Sequence, residues 1–160
     1  MRLGPRLRGQ CDRCGRSHVL QPAAVAAHRS DVLAVLVRAL LAFVLEGAGA
    51  GQVAMVLGRP ARTVRGWLMQ ARVFARRHLP AFTAMLAGLG GQDLLPRVGE
   101  LDPLRELVAV LRALGNAAAA RWGDLGLTEW ERINLICRGR FLSPSLSLSF
   151  YHGLAYPVMT

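Results

Sequence analysis

Lysine is absent from this 160-residue chain, and all twenty of its basic side chains are arginine. Cysteine is scarce: there are three, an odd number that argues against a disulfide scaffold and for a reducing compartment. Long apolar runs are missing too, because the longest, Val32 to Leu45, has fourteen residues and includes Arg38, whereas a membrane span needs about 20. The basic N-terminus is not followed by the apolar segment of a signal peptide. These absences predict a cytoplasmic protein with no membrane partner.

Acidic residues are scarce in the first half of the chain. Residues 1–78 contain 13 Arg and three acidic residues, whereas residues 79–160 contain seven of each, so the first half carries the whole net charge of +10. A codon bias of a GC-rich genome would raise the Arg content everywhere, but it would not remove carboxylates from one half. A surface that neutralises phosphates has this imbalance, which predicts a nucleic-acid partner. A generic basic surface is the alternative.

Helical spacing of apolar residues dominates from Pro22 to Arg138 and predicts an all-α fold. With 52% apolar residues, the chain has enough for a real core. Capping and stop signals predict five helices. They run from Asp31 (capped by Ser30) to about Glu46, from Gln52 to Leu57, from Pro60 to about Arg77, from Asp102 with Pro103 to about Arg121, and from Thr128 to about Arg138. The third of these is expected to end before Pro80.

These signals divide the chain into four parts. We expect an N-terminal arm with a partial zinc knuckle (1–29), a three-helix helix-turn-helix unit (30–79), a helical extension (80–140) and an irregular tail (141–160). The tail alternates Ser with Leu, as a strand does, but the sequence has no second strand pattern with which it could pair, so we expect it to be irregular. The alternative is that it adds an edge strand to a partner protein. The extension carries one apolar stripe that either completes the core or forms a homodimer interface: Leu104, Leu107, Val108, Leu111 and Leu114.

The segment AGQVAMVLGRPARTVRGWLM, residues 50–69, has the spacing of a helix-turn-helix. Its inward sites would be Val53, Leu57, Val64 and Trp67, and small Ala54 would lie where the two helices touch. Gly58 falls where the turn needs a left-handed residue, and Pro60 suits the opening of the next helix. The pattern therefore points to double-stranded DNA.

The third predicted helix has an apolar face and an Arg-rich face. Val64, Trp67, Leu68 and Ala71 would lie toward the core, and the candidate DNA-binding residues on or near the opposite face are Arg59, Arg62, Thr63, Arg65, Gly66, Met69, Arg72, Arg76 and Arg77. Arg62 and Arg65, near the helix N-terminus, would reach base edges in the major groove, and Gly66 would allow close approach. Thr63 and the later arginines would contact phosphates. A solvated Arg face without a ligand is the alternative.

Cys11 and Cys14 form a C-x2-C-G motif typical of a zinc knuckle. One knuckle supplies two of the four ligands of a structural zinc, and the nearest further candidates, His18 and His28, do not have a standard finger spacing. Zinc is therefore one interpretation, and an unmetallated remnant or a redox pair are the others. Cys137 falls in the last predicted helix and is expected to be a buried core residue.

Together, CDRCGRSHVLQPA and LGRPARTVRGWL resemble an uncharacterised bacterial family of transposase-like proteins that joins an N-terminal zinc ribbon to a helix-turn-helix. The resemblance covers residues 11–80 and implies a small DNA-binding protein of mobile-element ancestry. It also implies a first Cys pair upstream of Cys11, which this sequence lacks, so the ribbon is expected to be truncated.

No catalytic residue is predicted. The acids Asp93, Asp102 and Glu106 lie in a helical context without the strands that gather a metal-dependent nuclease site, and Tyr151 lies in a tail without a nearby base. We therefore expect a sequence-specific DNA-binding protein of mobile-element or transcription-regulator type that is not an enzyme. The alternatives are a helical protein- or RNA-interaction module and a non-functional remnant of a transposon-derived gene.

Overall fold

A computed structural model describes residues 7–10, 12, 15, 17–20, 33–91, 93, 102–123, 126–143 and 146. Its helices are α1 (Leu33–Val44), α2 (Ala50–Leu57), α3 (Ala61–Gly88), α4 (Pro103–Trp122) and α5 (Glu129–Ile136). The strands in this part of the chain are two short ones, β1 (Leu7–Gln10) and β2 (Ser17–Leu20), which pair antiparallel. The predicted all-α class is therefore confirmed for the helical body, with one hairpin before it.

Four of the predicted helices lie close to their expected bounds. The helix α2 begins two residues before the expected Gln52, because the Gln52 side chain accepts a 2.9 Å hydrogen bond from the backbone N–H of Gly49 and caps the earlier start. The predicted capping box before α5 is present: Thr128 N–H donates to Glu131 Oε2 at 2.9 Å, and Glu131 N–H donates to Thr128 Oγ1 at 3.3 Å. Ser30 and Asp31, the expected start of α1, lie outside the described residues.

The prediction that the third helix ends before Pro80 is wrong. Helix α3 continues through Pro80 to Gly88, because its apolar face continues beyond Phe74 with the buried side chains of Phe82 and Leu86. Pro80 is exposed, and so is Arg76, whose carbonyl loses its helical N–H partner at this proline. Packing along one side of the helix therefore outweighs the missing hydrogen bond on the other. The expected domain boundary at 79/80 falls inside α3.

Two apolar clusters hold the helices together, and α1 and α3 contribute to both. The smaller cluster joins α1, α2 and the N-terminal third of α3: Leu36, Ala39, Val53, Ala54, Val64, Trp67 and Leu68. The larger cluster joins α1, the rest of α3, α4, α5 and the later residues Phe141, Leu142 and Leu146, with α3 packed along α4. The small cluster therefore fixes α2 and the start of α3 against a larger body.

The leucine stripe of α4 belongs to the larger cluster. Its members are almost completely buried within the chain: Leu104, Leu107 and Leu111 are 0% exposed, and Val108 and Leu114 are 1% exposed. The predicted homodimer interface through these residues is therefore wrong, since no part of the stripe is left on the surface. The other interpretation, that the stripe completes the core, is confirmed.

The chain after α5 also packs on the core. Phe141, Leu142 and Leu146 are buried, and the Phe141 ring lies edge-on to Phe74 with 5.8 Å between centroids. Cys137 is 0% exposed, as expected for a core residue. Residues 141–143 and 146 are outside helices and strands, which agrees with an irregular tail, but those described are buried. No helix in the described part of the chain is long and apolar enough to cross a membrane.

Candidate nucleic-acid interface

The turn between α2 and α3 has a defined geometry. Gly58 adopts φ 60° and ψ 39°, the left-handed conformation that the sequence predicts there. Arg59 N–H donates to the Ala54 carbonyl at 2.9 Å, and Gly58 N–H donates to the Met55 carbonyl at 3.2 Å. These two bonds form a Schellman motif, which satisfies carbonyls at the end of α2. Because glycine is nearly free of steric cost at positive φ, Gly58 sets the direction in which the chain enters α3.

The predicted inward residues of this unit are buried. Val64 is 0% exposed, Val53 2%, Ala54 4% and Trp67 9%, while Leu57 is partly buried against them. Pro60 lies just before α3 with φ −58°, and its carbonyl accepts from Thr63 and Val64 N–H at 2.9 and 3.2 Å. Proline is therefore one residue outside the helix that it was expected to open. The core spacing derived from the sequence is confirmed.

The face of α3 opposite this cluster is exposed and rich in arginine. Arg62, Arg65, Arg72, Arg76 and Arg77 are all exposed, and Met69, with 66% of its surface exposed, lies among them. Gly66 is half-buried, and a Cβ built on it would meet nothing within 4 Å. The structure thus places the predicted arginines on one continuous helix surface, with Arg62 and Arg65 in its first two turns. Thr63 is half-buried at the edge of that surface, and Arg59 is exposed in the preceding turn.

The electrostatics of this surface are uniformly positive. Residues 47–92 contain six Arg and no acidic residue. Within the described part of the chain, no carboxylate forms an ion pair with Arg62, Arg65, Arg76 or Arg77, whereas Arg112 of α4 pairs with Glu129 at 3.4 Å. Unpaired arginines along one face of a helix provide donors for an anionic polymer, since guanidinium groups bind phosphates and guanine edges through two parallel hydrogen bonds.

Arg72 has a partner that the sequence pattern did not reveal. Its guanidinium carbon lies 5.2 Å from the centroid of the Phe43 ring in α1, a cation–π distance. Phe43 is partly buried and packs against both clusters. Contacts between α1 and α3 depend on the tertiary fold, and the helical spacing of residues 61–77 carries no signal of them. Phe43 therefore positions one cation of the interface.

At its C-terminal end the Arg face borders a histidine. His78 is 5% exposed, and its ring lies 4.6 Å from that of Phe74. Burial lowers the pKa of His78, and the neighbouring positive charge of Arg77 lowers it further. The neutral imidazole is therefore favoured here, and the positive charge of this end of the surface belongs to arginine.

The Cys pair lies within the connection of the β1–β2 hairpin. Gln10 of β1 pairs with Ser17 of β2, and the Gln10 side-chain amide donates to the Gly15 carbonyl at 3.1 Å. Gly15 has φ +65°, which suits the residue after a Cys pair that must turn its backbone. Cys11 and Cys14 lie outside the described residues, as do His28 and the side chain of His18. The residues that are described contain no group of three potential metal ligands, so zinc stays a prediction.

Comparison with known proteins adds no assignment to this geometry. No protein family, no curated protein and no solved structure matches the chain. The resemblance to transposase-like proteins is therefore not tested and stays a prediction.

Proposed function

We propose that this protein binds double-stranded DNA through the N-terminal half of α3, with α2, the Gly58 turn and α3 acting as a helix-turn-helix. The observation that carries the proposal is the arginine face of α3, which is held by a buried cluster and a Schellman turn. Its Arg62, Arg65, Arg76 and Arg77 form no ion pair with any carboxylate in the described part of the chain. A rigid support reduces the entropy lost on binding. An α-helix fits the major groove of B-DNA, where arginine can read guanine through O6 and N7.

In this proposal the arginines have different roles. Arg62 and Arg65, in the first two turns of α3, contact base edges and carry sequence preference, whereas Arg76 and Arg77 contact phosphates and position the helix. Gly66 allows a close approach of the backbone, because nothing lies within 4 Å of the position of its missing Cβ. Arg72, held against Phe43, presents its charge beside the same surface.

The buried position of Trp67 favours duplex DNA over single strands. Its side chain is 9% exposed and packs in the smaller cluster, so it is not offered to bases for stacking. The proposal includes a role of mobile-element or regulator type in the cytoplasm, without catalysis. The resemblance of residues 11–80 to transposase-like proteins supports the mobile-element ancestry, and the arginine face of α3 supports the proposed DNA binding.

The test is fluorescence anisotropy of the full chain with duplexes enriched from a random pool, measured over a salt series. The wild type is expected to bind a selected site tightly, with an affinity that falls steeply as salt rises. Loss of either Arg62 or Arg65 should cost about 1 to 3 kcal/mol and relax the base preference. Arg76→Ala with Arg77→Ala should weaken binding equally on all sequences and lower the salt slope.

A matched control removes two arginines from another helix, α4. Arg105 and Arg121 are exposed on α4, so Arg105→Ala with Arg121→Ala changes the net charge by the same amount without touching α3. This control should leave selected-site binding nearly unchanged. An equal loss in the control would show that only net charge matters, and absence of binding to any duplex would contradict DNA binding altogether. Tighter binding to single-stranded RNA than to duplex DNA would favour an RNA-interaction module.

A further inference from the structure

A groove lies beside the exposed face of α3, between that helix and the chain that follows α5. Its volume is about 130 Å³, close to that of an apolar cavity of about 150 Å³ that holds a benzene ring. Phe74 and Leu142, both nearly fully buried, line its inner part. Met69 and Val73, which are 66% and 62% exposed, line its outer part. Two large apolar side chains are thus exposed beside a concave apolar surface.

Polar groups among the lining residues favour an anion. Arg77 is exposed and forms no ion pair with a carboxylate of the described residues. The lining includes no acidic residue, and its other polar members are Gln70, His78 and Ser143. Arg77 also acts electrostatically on His78, where it disfavours a second positive charge. An anionic group beside Arg77 would complement this field, because charge-assisted bonds from guanidinium to carboxylate are among the stronger hydrogen bonds.

The inner wall favours a flat, aromatic ligand. The Phe74 ring lies 4.6 Å from His78 at an interplanar angle of 51° and 5.8 Å from Phe141 at 77°. The contact with Phe141 is edge-to-face, one of the preferred arrangements of aromatic rings. Only 4% of Phe74 is exposed, so a further ring in the groove would meet the edge of this aromatic cluster and pack mainly against Met69 and Val73.

We propose that this groove binds a small aromatic monocarboxylate, whose ring packs between the exposed Met69 and Val73 side chains at the edge of Phe74 and whose carboxylate is bound by Arg77. A DNA phosphate bound by Arg77 would leave the apolar lining of the groove uncovered. A neutral hydrocarbon would leave Arg77 without a partner. An aromatic carboxylate complements both the apolar lining and the charge of Arg77.

The experiment is isothermal titration calorimetry of the full chain with 2-naphthoate, compared with its neutral analogue 2-naphthalenemethanol. We expect the neutral analogue to bind the wild type about tenfold more weakly, because it cannot form the charged pair with Arg77. Arg77→Gln should weaken 2-naphthoate binding by about the same factor. Val73→Asp should abolish it, since it places a carboxylate in the apolar lining. The matched control is Arg105→Gln, which removes an exposed charge of α4 outside the groove and should leave the affinity unchanged.

Three results would overturn the proposal. These are no binding of 2-naphthoate at millimolar concentration, equal affinities of the wild type for both probes, and an equal loss in Arg105→Gln, which would indicate attraction to the net positive charge of the whole chain. The comparison of the two probes uses the wild type alone, so it stays decisive even where a variant fails to fold. Circular dichroism of each variant checks its fold. No DNA is present, and the outcome is therefore independent of the proposed DNA binding.

Discussion

Gly115 of α4 lies directly against Glu129 at the start of α5. A Cβ built on Gly115 would be 3.0 Å from the Glu129 Cβ and 3.1 Å from its carbonyl oxygen. The same crossing is closed by Arg132, whose Nε donates to the Gly115 carbonyl at 3.1 Å and whose guanidinium also donates to the Leu127 carbonyl. Helices α4 and α5 approach closely at this point because one of them has no side chain there.

Gly115→Ala should therefore destabilise the protein, although alanine is the better helix former. We expect a loss of about 1 to 3 kcal/mol in the free energy of unfolding, because the added methyl group meets backbone that cannot turn away. The control is Gly66→Ala in α3, where the new Cβ meets nothing within 4 Å, and it should gain about 0.5 to 1 kcal/mol. Urea unfolding measures both. Similar changes in the two variants would contradict the close contact.

Pro80→Ala should stabilise the protein. Pro80 lies inside α3 and is exposed, so alanine restores the N–H donor to the Arg76 carbonyl without altering the core. Proline in a helix interior is about 3 kcal/mol less favourable than alanine, and we expect a gain of about 1 to 3 kcal/mol. The converse control is Ala84→Pro, one turn further along the same exposed face, which should destabilise. A lower midpoint of thermal unfolding for Pro80→Ala would show that α3 does not continue through residue 80.

Leu111→Ala distinguishes a core residue from an interface residue. Because Leu111 is 0% exposed within the larger cluster, its truncation should lower the free energy of unfolding by about 2 to 5 kcal/mol. Light scattering should give the same molecular mass for variant and wild type. A variant that keeps the wild-type stability but is a monomer where the wild type is a dimer would contradict the core position of Leu111 and support the homodimer interface.

The stability of the fold should fall as pH falls below the ordinary pKa of histidine, in part through His78. Its pKa in the folded chain is lowered by burial and by Arg77, so between that lowered pKa and the ordinary histidine pKa of about 6.5 the unfolded chain binds more protons than the folded chain. His78→Gln removes this contribution. We expect its free energy of unfolding to decline less than that of the wild type between neutral and mildly acidic pH. Parallel declines would show that His78 does not contribute.

Zinc binding by the Cys pair is testable by metal analysis of the purified chain. If Cys11 and Cys14 are ligands, the wild type contains about one equivalent of zinc and Cys11→Ser with Cys14→Ser contains none. The control, Cys137→Ala, changes a buried thiol whose pKa is raised by burial and should retain the metal. Wild-type protein without zinc would contradict the prediction.

Local patterns were sufficient for much of the helical unit. The Gly58 turn, the Thr128–Glu131 capping box and the inward positions Val53, Val64 and Trp67 follow from conformational preferences and helical spacing within a few residues, and the structure confirms them. The arginine face follows from the same spacing. Its DNA-binding role stays a prediction, because spacing alone does not identify a ligand.

By itself, then, the sequence determined the approximate bounds of four of the five helices, the start of α3, and which face of α3 carries positive charge, because these properties depend on neighbours within one or two turns. Only the tertiary structure decided that α3 passes through Pro80, that the α4 stripe is internal, and that Phe43 meets Arg72. It also brought Leu142 beside Met69 and Val73 to form the groove. These outcomes depend on burial against segments that are distant in the sequence. Such burial can outweigh a local stop signal, and the helical spacing of apolar residues does not reveal it.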